Sequence, residues 1–325
     1  MNLTSDHVML LYSQGHLDKI QAVQNLIFIL DNSDNENERY SSLKFIESLN
    51  LQTFEYYQLL ERLSISDCND NIRGLATYLI GQKFIKNALE PMKWAIKNEK
   101  SLTVLISVID VLQKISSNES KEIILKKLID IINEHKEDYL YRYISIIKGL
   151  INSHKLRNLS EEQLTNILRN FLTILSISKS YPNFSYDLDK ERILVSKLDL
   201  SDLELEPRGL PIGWKNNIKN IMEIIGLDNL KHLKKLNLSN NQLEHLKGLE
   251  KLQDLEYLNL SNNNISDINE LSVLNELTNL RLLDLHGNKV VNEISIKNVK
   301  SSFKIILKTT LEELEDLYEA QFIKY

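Results

Sequence analysis

The chain has 325 residues, 42% of them hydrophobic and 26% charged, with a formal net charge of −6. That length exceeds one ordinary globular core and asks for two domains or an elongated array, and the apolar fraction is enough to fill either. Acids and bases stay interleaved with no basic block, so the phosphate attraction that drives nucleic-acid binding has no obvious source, and nucleic acid is not expected as a partner.

With only 9 glycines and 4 prolines, the chain suits long helices joined by short turns. Its one cysteine, Cys68, cannot form an internal disulfide or a thiolate cluster. The start, "MNLTSDHVMLLYSQGHLDK", lacks a basic segment followed by a long apolar run, so no secretory leader is expected. The longest apolar runs, "NLIFIL" and "LTVLISVIDVL", are too short or carry an acid, so no membrane span is expected. The sequons at Asn237 and Asn259 fall where a packed strand surface is predicted and read as chance, and a cytoplasmic location follows.

Residues 1 to about 180 carry no strand signal. Helical periodicity predicts segments near 16–31, 37–49, 53–64, 70–86, 89–97, 101–116, 119–135, 138–153 and 161–176. Asn118-Glu-Ser and Ser160-Glu-Glu-Gln supply start signals, the second a capping box. The segment 101–116 is apolar nearly all round, through Leu102, Val104, Leu105, Ile106, Val108, Ile109, Val111 and Leu112, which predicts burial on several sides. "DNIRGLATYLIG" at 70–81 can be laid on "DYLYRYISIIKG" at 138–149, an offset of 68, or two steps of about 34. With "ALEPMKWAI" at 88–96, and with Asp70, Ile72, Arg73, Ala76 and Pro91 at familiar places, this half resembles HEAT repeats. The resemblance implies an all-α solenoid of stacked helical hairpins over 1–180.

The polar stretch "SISKSYPNFSYDLDKER" holds Pro182, and the join between domains is expected there, as a linker over 181–192. A second domain, 193–325, follows. At 198–205, "LDLSDLEL" keeps strand leucines Leu198, Leu200 and Leu205, but Leu203 stands where the later units carry asparagine. "IMEIIGLDNL" at 221–230 fits the second half of a unit through Ile221, Ile224, Gly226 and Leu227, while "PIGWKNNIKN" before it fits nothing; an irregular unit or an insertion around Trp214 is expected.

From residue 233 the pattern is regular. L-x-x-L-x-L-x-x-N-x-L holds at 233–243 and at 255–265, a step of 22, and again at 280–290, a step of 25 that implies a few inserted residues near "NELSVLNELTNL". A second apolar beat follows, at Leu246 and Leu249, then at Ile268 and Leu271. A helix face recurs at three and four residues without a fixed asparagine, so these are short strands whose leucines point inward while their neighbours point outward. The turn after each strand leaves backbone groups buried. An asparagine amide both donates and accepts, so Asn241, Asn263 and Asn288 are expected to form a ladder that satisfies them.

These units resemble the leucine-rich repeat family, in a short 22-residue class similar to that of regulatory subunits of phosphatase-1, with "L-x-x-L-x-G-L" at Leu243, Leu246, Gly248 and Leu249. The resemblance implies a solenoid with a short parallel β-sheet. The segment "VKSSFKIILKTTLEELEDLYEAQF" reads as an amphipathic helix over about 298–321, with Leu311, Leu314, Leu317 and Tyr318 on one side. Open arrays need polar-faced ends, so its expected role is a cap, with a partner-binding helix as the sharper alternative.

Chemistry is hard to find. No G-x-x-x-x-G-K-S/T phosphate loop occurs, and the seven histidines show no metal-ligand spacing, so neither cofactor nor metal is expected. Cys68 lies in acidic "SDCND", which disfavours a thiolate. Glu312, Glu313, Glu315 and Asp316 read as a solvated helix face. There remain the outward-facing columns of the strands. Asn237 and Asn259 are candidate partner contacts on these columns, although with Ser239 and Ser261 they also read simply as residues that suit a turn. Tyr257 and Leu282 read as neighbouring apolar groups among Lys235, Arg281, Asp284 and His286, the composition of a contact site. The expected function is a non-catalytic protein–protein scaffold or adaptor, with no small-molecule substrate. The alternatives are a regulatory subunit of a phosphatase or GTPase, an enzyme built on His286 and Asp284 in a cleft, and a HEAT-type nucleic-acid binder using Lys83, Lys86, Lys93, Lys97, Lys100, Lys126 and Lys127.

Overall fold

A computed structural model describes residues 3–135, 140–181, 183–201, 216–292 and 304–307. The chain divides into two compact units, Met1–Ile131 with Ser160–Thr165, and Ile132–Leu159 with Asn166–Tyr325. A helical region precedes a strand-rich one.

The first unit is built from α1 (Ser5–Ser13), α2 (Lys19–Asn32), α3 (Glu36–Ser48), α4 (Phe54–Ser66), α5 (Asp70–Lys83), α6 (Leu89–Asn98), α7 (Leu102–Ile115) and most of α8 (Asn118–Glu134). Starts are set by side-chain caps: Asp18 and Gln21 form a capping box on α2, and Asn35 and Asn69 accept backbone N–H groups at the starts of α3 and α5. Consecutive helices pack as hairpins, α2 on α3, α4 on α5 and α6 on α7, and α5 packs on both α3 and α7. Helix α7 buries Val104, Leu105, Val108, Ile109, Val111 and Leu112, while Ile106 stays half-buried, so one flank is less covered than its composition suggested.

A polar clamp recurs in this unit at a step of 34, from Arg39 to Arg73. Arg39, in the first turn of α3, donates to the Leu30 carbonyl and pairs with Asp67 at the end of α4. Arg73, in the first turn of α5, donates to the Asp67 carbonyl at 2.8 Å and pairs with Glu99 at the end of α6, also at 2.8 Å. Each arginine thus ties its own hairpin to the next.

The second unit contains α9 (Tyr141–Asn152), the body of α10 (Glu161–Ser180) and the sheet. The described strands are β1 (Ser185–Asp189), β2 (Leu194–Asp199), β3 (Lys235–Asn237), β4 (Tyr257–Asn259), β5 (Leu282–Asp284) and β6 (Lys304–Ile306), lying in chain order. β1 pairs antiparallel with β2, and every later pairing is parallel. Leu198, Leu236, Leu258 and Leu283 fall in one register row, and all four are fully buried.

Three expectations need correction here. The stretch 181–192 is not a plain linker: its Ser185–Asp189 segment is strand, held to β2 by backbone pairing that a polar sequence does not advertise. Residues 304–306, placed inside a predicted helix, instead extend the sheet as β6, where the pair Ile305-Ile306 suits a strand. The remainder of that predicted helix, with Leu311, Leu314, Leu317 and Tyr318, lies outside the described residues, as do Leu203, Leu205 and Trp214. Finally, α9 and α10, assigned by sequence to the first domain, belong largely to the strand-bearing unit.

There α10 closes the amino-terminal end of the repeats. Its Asn170 accepts the Val195 N–H at 2.9 Å, Thr173 donates to the Gly226 carbonyl at 3.2 Å, and Tyr181 donates to the Glu223 carbonyl at 3.2 Å. Tyr143 of α9, fully buried against the Phe171 ring, donates to the Ile193 carbonyl at 2.8 Å. Gly226 sits at φ +82, and a Cβ there would meet the Thr173 hydroxyl at 2.9 Å, so the glycine both permits the turn and lets α10 approach.

Candidate functional site

The buried side of the repeats is held by the asparagine column. Asn263 donates from Nδ2 to the carbonyls of Leu238, Leu260 and Ser261 and accepts the Leu243 N–H at Oδ1. Asn241 does the same with Leu200, Leu238 and Ser239, accepting from Ile218. Asn288 donates to Leu260 and Leu285 and accepts from Ile265. Each amide therefore serves its own turn and the preceding unit. Asn216 donates to Leu200 at 2.9 Å and lies two residues before Ile218, the place Asn241 holds before Leu243. The asparagine missing at Leu203 is thus Asn216, displaced along the chain by the residues between. The extra length of the unit that begins at residue 255 lies in a helical turn of 9 residues, Ile268–Glu276, where the unit before it has 3, Leu249–Lys251.

The outward columns divide into two kinds. Asp199, Asn237, Asn259 and Asp284 occupy one register row, and each accepts the backbone N–H two residues on, at Ser201, Ser239, Ser261 and His286. These are Asx turns that end the strands. Asn237, Asn259 and Asp284 are 1%, 7% and 0% exposed, so a partner meets little of them. His286 also contacts Asp284 through Nδ1 at 2.7 Å, and its partner is this buried carboxylate. After these turns Asn240 and Asn262 take φ of 56 and 54, and Gly287 takes φ 74, the left-handed conformation that asparagine and glycine tolerate.

Leu282 corrects the expectation of an exposed apolar pair. It is buried, forming a small cluster with Ile306 of β6, and Tyr257 packs against that cluster half-buried. The strand that covers it was the one hidden in the predicted helix.

The accessible part is the strand-entry edge. Lys234 and Arg281 flank Glu256 at 3.2 and 3.5 Å. The Lys235 ammonium lies 4.9 Å from the Tyr257 ring centroid. Burial and the neighbouring Lys197 push that ammonium below its usual range, against the opposing pull of Glu256 and Asp187. Among the described residues the edge offers charge and one aromatic face.

Elsewhere, a polar hollow of about 410 Å³ is lined by Glu244, His245, Asn264, Ser266, Asp267, Glu270 and Lys289. His245 meets Glu270 there at 3.0 Å, and this hydrogen bond and charge raise the imidazole above its usual value. Among the described residues no group of three or more His, Cys, Asp or Glu side chains is placed to hold a metal ion, and no helix is long and apolar enough to cross a membrane. Cys68 is exposed, 3.5 Å from the Arg39 guanidinium. Of the lysines proposed as a nucleic-acid track, Lys93 is engaged by Glu90 and Glu119, and Lys83 donates to Asn50.

Residues 231–273 match a family described as "Leucine Rich repeats (2 copies)". The curated proteins contain no match to this chain. The matched span covers β3, β4 and the turns after each, where the asparagine ladder is most regular.

Proposed function

We propose that this protein is a non-catalytic interaction scaffold that docks a protein partner on the outward, strand-entry edge of its leucine-rich repeats. The observation that carries the reading is the rigid register of β2 to β5, which sets Lys234, Lys235, Tyr257 and Arg281 side by side on an accessible edge. Leucine-rich repeats generally mediate protein–protein contacts, and backbone positions fixed by sheet register leave only side chains to be ordered on binding. In this reading the repeats are of the short 22-residue class, the helical unit is a HEAT-like solenoid offering a second surface, and the protein works in the cytoplasm. A regulatory role toward an enzyme such as a phosphatase or GTPase is one form the scaffold can take.

The test is affinity capture with the full chain from lysate of its source, with Lys234→Glu/Arg281→Glu as the paired variant and partners identified by mass spectrometry. Asp284 and Leu282 are unsuitable targets, because substitution at buried positions reports unfolding. A protein retained by the wild type and lost from the folded variant is the expected result. Equal retention by both would remove the strand edge as the docking site.

A further inference from the structure

We propose that the nine-residue turn Ile268–Glu276 is latched to the preceding repeat unit by a His245–Glu270 bridge, which makes its closure pH-sensitive. The repeats step by 22 residues and then by 25, and the extra length lies in this turn. The turn has 3₁₀ geometry, whose hydrogen bonds are poorly aligned, so runs beyond three or four residues are uncommon. It therefore depends on what tethers it. Buried Leu271 and Leu274 anchor it to the core, and at its start Asp267 accepts the Asn269 N–H at 2.9 Å. Glu270, in its first turn, reaches back to the unit before. Its Oε2 accepts the Leu246 N–H at 2.8 Å, and its Oε1 meets His245 Nδ1 at 3.0 Å.

The imidazole is the fixed half of the latch. The Glu244 N–H donates to the Lys219 carbonyl at 3.0 Å, and the His245 carbonyl accepts the Ile221 N–H at 3.5 Å, so the main chain here is pinned on its other side. Protonation sets the strength of the bridge. An imidazolium is charged and donates from both nitrogens. A neutral ring has one N–H, and with that proton on Nε2 it turns a lone pair toward the carboxylate. The hydrogen bond and charge of Glu270, and then the charge of Glu244, lift the imidazole above its usual value of 6.5, against the opposing pull of desolvation. The surrounding elements also carry Lys219 and Glu223 on the preceding unit, Lys247 beside the histidine, and Asp267 and Lys289 across the polar hollow. A folded value above the unfolded one gives a latch that is complete below the unfolded value and lost as pH rises through the folded one. The His245 side chain is 58% exposed, so solvent screening keeps the effect modest and local to the turn.

The experiment follows the full chain between about pH 6 and about pH 8, where imidazoles titrate and carboxylates stay ionised. Nuclear magnetic resonance titrates the histidine rings, with His245 assigned by its loss in His245→Gln. Hydrogen exchange, normalised to the unstructured rate at each pH, reads the protection of residues 267–277. His245 is expected to titrate above its usual value in wild type and to fall back toward it in Glu270→Gln. Protection of the turn should weaken about two- to fivefold from the lower to the higher pH in wild type, and should not change with pH in His245→Gln. Circular dichroism checks that the variants fold. His245→Gln keeps the bond between Glu270 and Leu246, and it carries the test should Glu270→Gln fail to fold. A wild-type His245 that titrates at or below its usual value overturns the proposal. So does a turn whose protection ignores pH in wild type, or varies with pH equally in His245→Gln.

Discussion

The two units join their successive elements by opposite polar strategies. In the helical unit the joints are charged: Arg39 reaches Asp67, and Arg73 reaches Glu99. In the strand-bearing unit the joints are neutral amides, with Asn241, Asn263 and Asn288 bonded to backbone. The difference follows from where each backbone finds its partners. A helix satisfies its interior N–H and carbonyl groups itself, leaving only its ends, so a cation can serve two helix ends at the edge of the core. A three-residue strand followed by a turn leaves buried groups of both kinds, and only a side chain that donates and accepts can serve them without burying charge.

The largest effect should come where both ingredients meet. Leu238→Ala or Leu260→Ala removes a fully buried side chain from the sheet, and chemical denaturation should register a loss of about 2–5 kcal/mol. A change within error would mean that the strand leucines do not build the core.

The charged joint comes next. Arg73→Ala leaves Glu99, itself mostly buried, without its guanidinium, and should cost about 1.5–3 kcal/mol in the same assay. The pH dependence sharpens this. Burial alone would raise the Glu99 carboxyl, but the Arg73 guanidinium and the N–H groups of Ser101 and Lys100 outweigh it and hold the group below its usual value of 4.5. A depressed folded value means stability that is present above the unfolded pKa and lost as pH falls through the folded one, so wild type should lose stability below about pH 4.5. Glu99→Gln should flatten part of that loss; an unchanged acid profile would show that this pair does not contribute to it.

For the neutral joint, Asn263→Ala should cost about 1–3 kcal/mol. Asn263→Asp keeps the acceptor for the Leu243 N–H but loses the donors to Leu238, Leu260 and Ser261, so it should remain destabilised near neutral pH. Recovery to wild-type stability in the aspartate variant would show that donation is dispensable. Smallest is Tyr143→Phe, which removes one hydroxyl bond to Ile193 and should cost about 0.5–1.5 kcal/mol, read as a shifted denaturation midpoint.

Where period and chemistry coincided, the sequence was legible. The strand leucines of 233–285 and their asparagines follow from spacing alone, and most helices in 16–176 lie where apolar periodicity and caps agree. What it hid depends on contacts between distant residues. Strand β1 carries the polar sequence Ser-Tyr-Asp-Leu-Asp, and its strand character comes from pairing with β2. Helix α1 is short and weakly amphipathic, with the Thr4 cap as its one local signal. Asn216 was obscured by the residues separating it from its strand. Leu282 alternates correctly toward the outward side, but Ile306, 24 positions later, buries it. The Asx turns at Asn237 and Asn259 were readable as turn chemistry, while the alignment of Lys197 and Lys304 with Lys235 emerged only with the register.

The most direct test of the docking edge is hydrogen–deuterium exchange of the full chain, free and bound to its captured partner. The account predicts new protection concentrated at residues 234–237, 256–259 and 281–284, with exchange in the helical unit changed less. Protection confined to the helices of residues 5–115, with the strand edge unchanged, would contradict it.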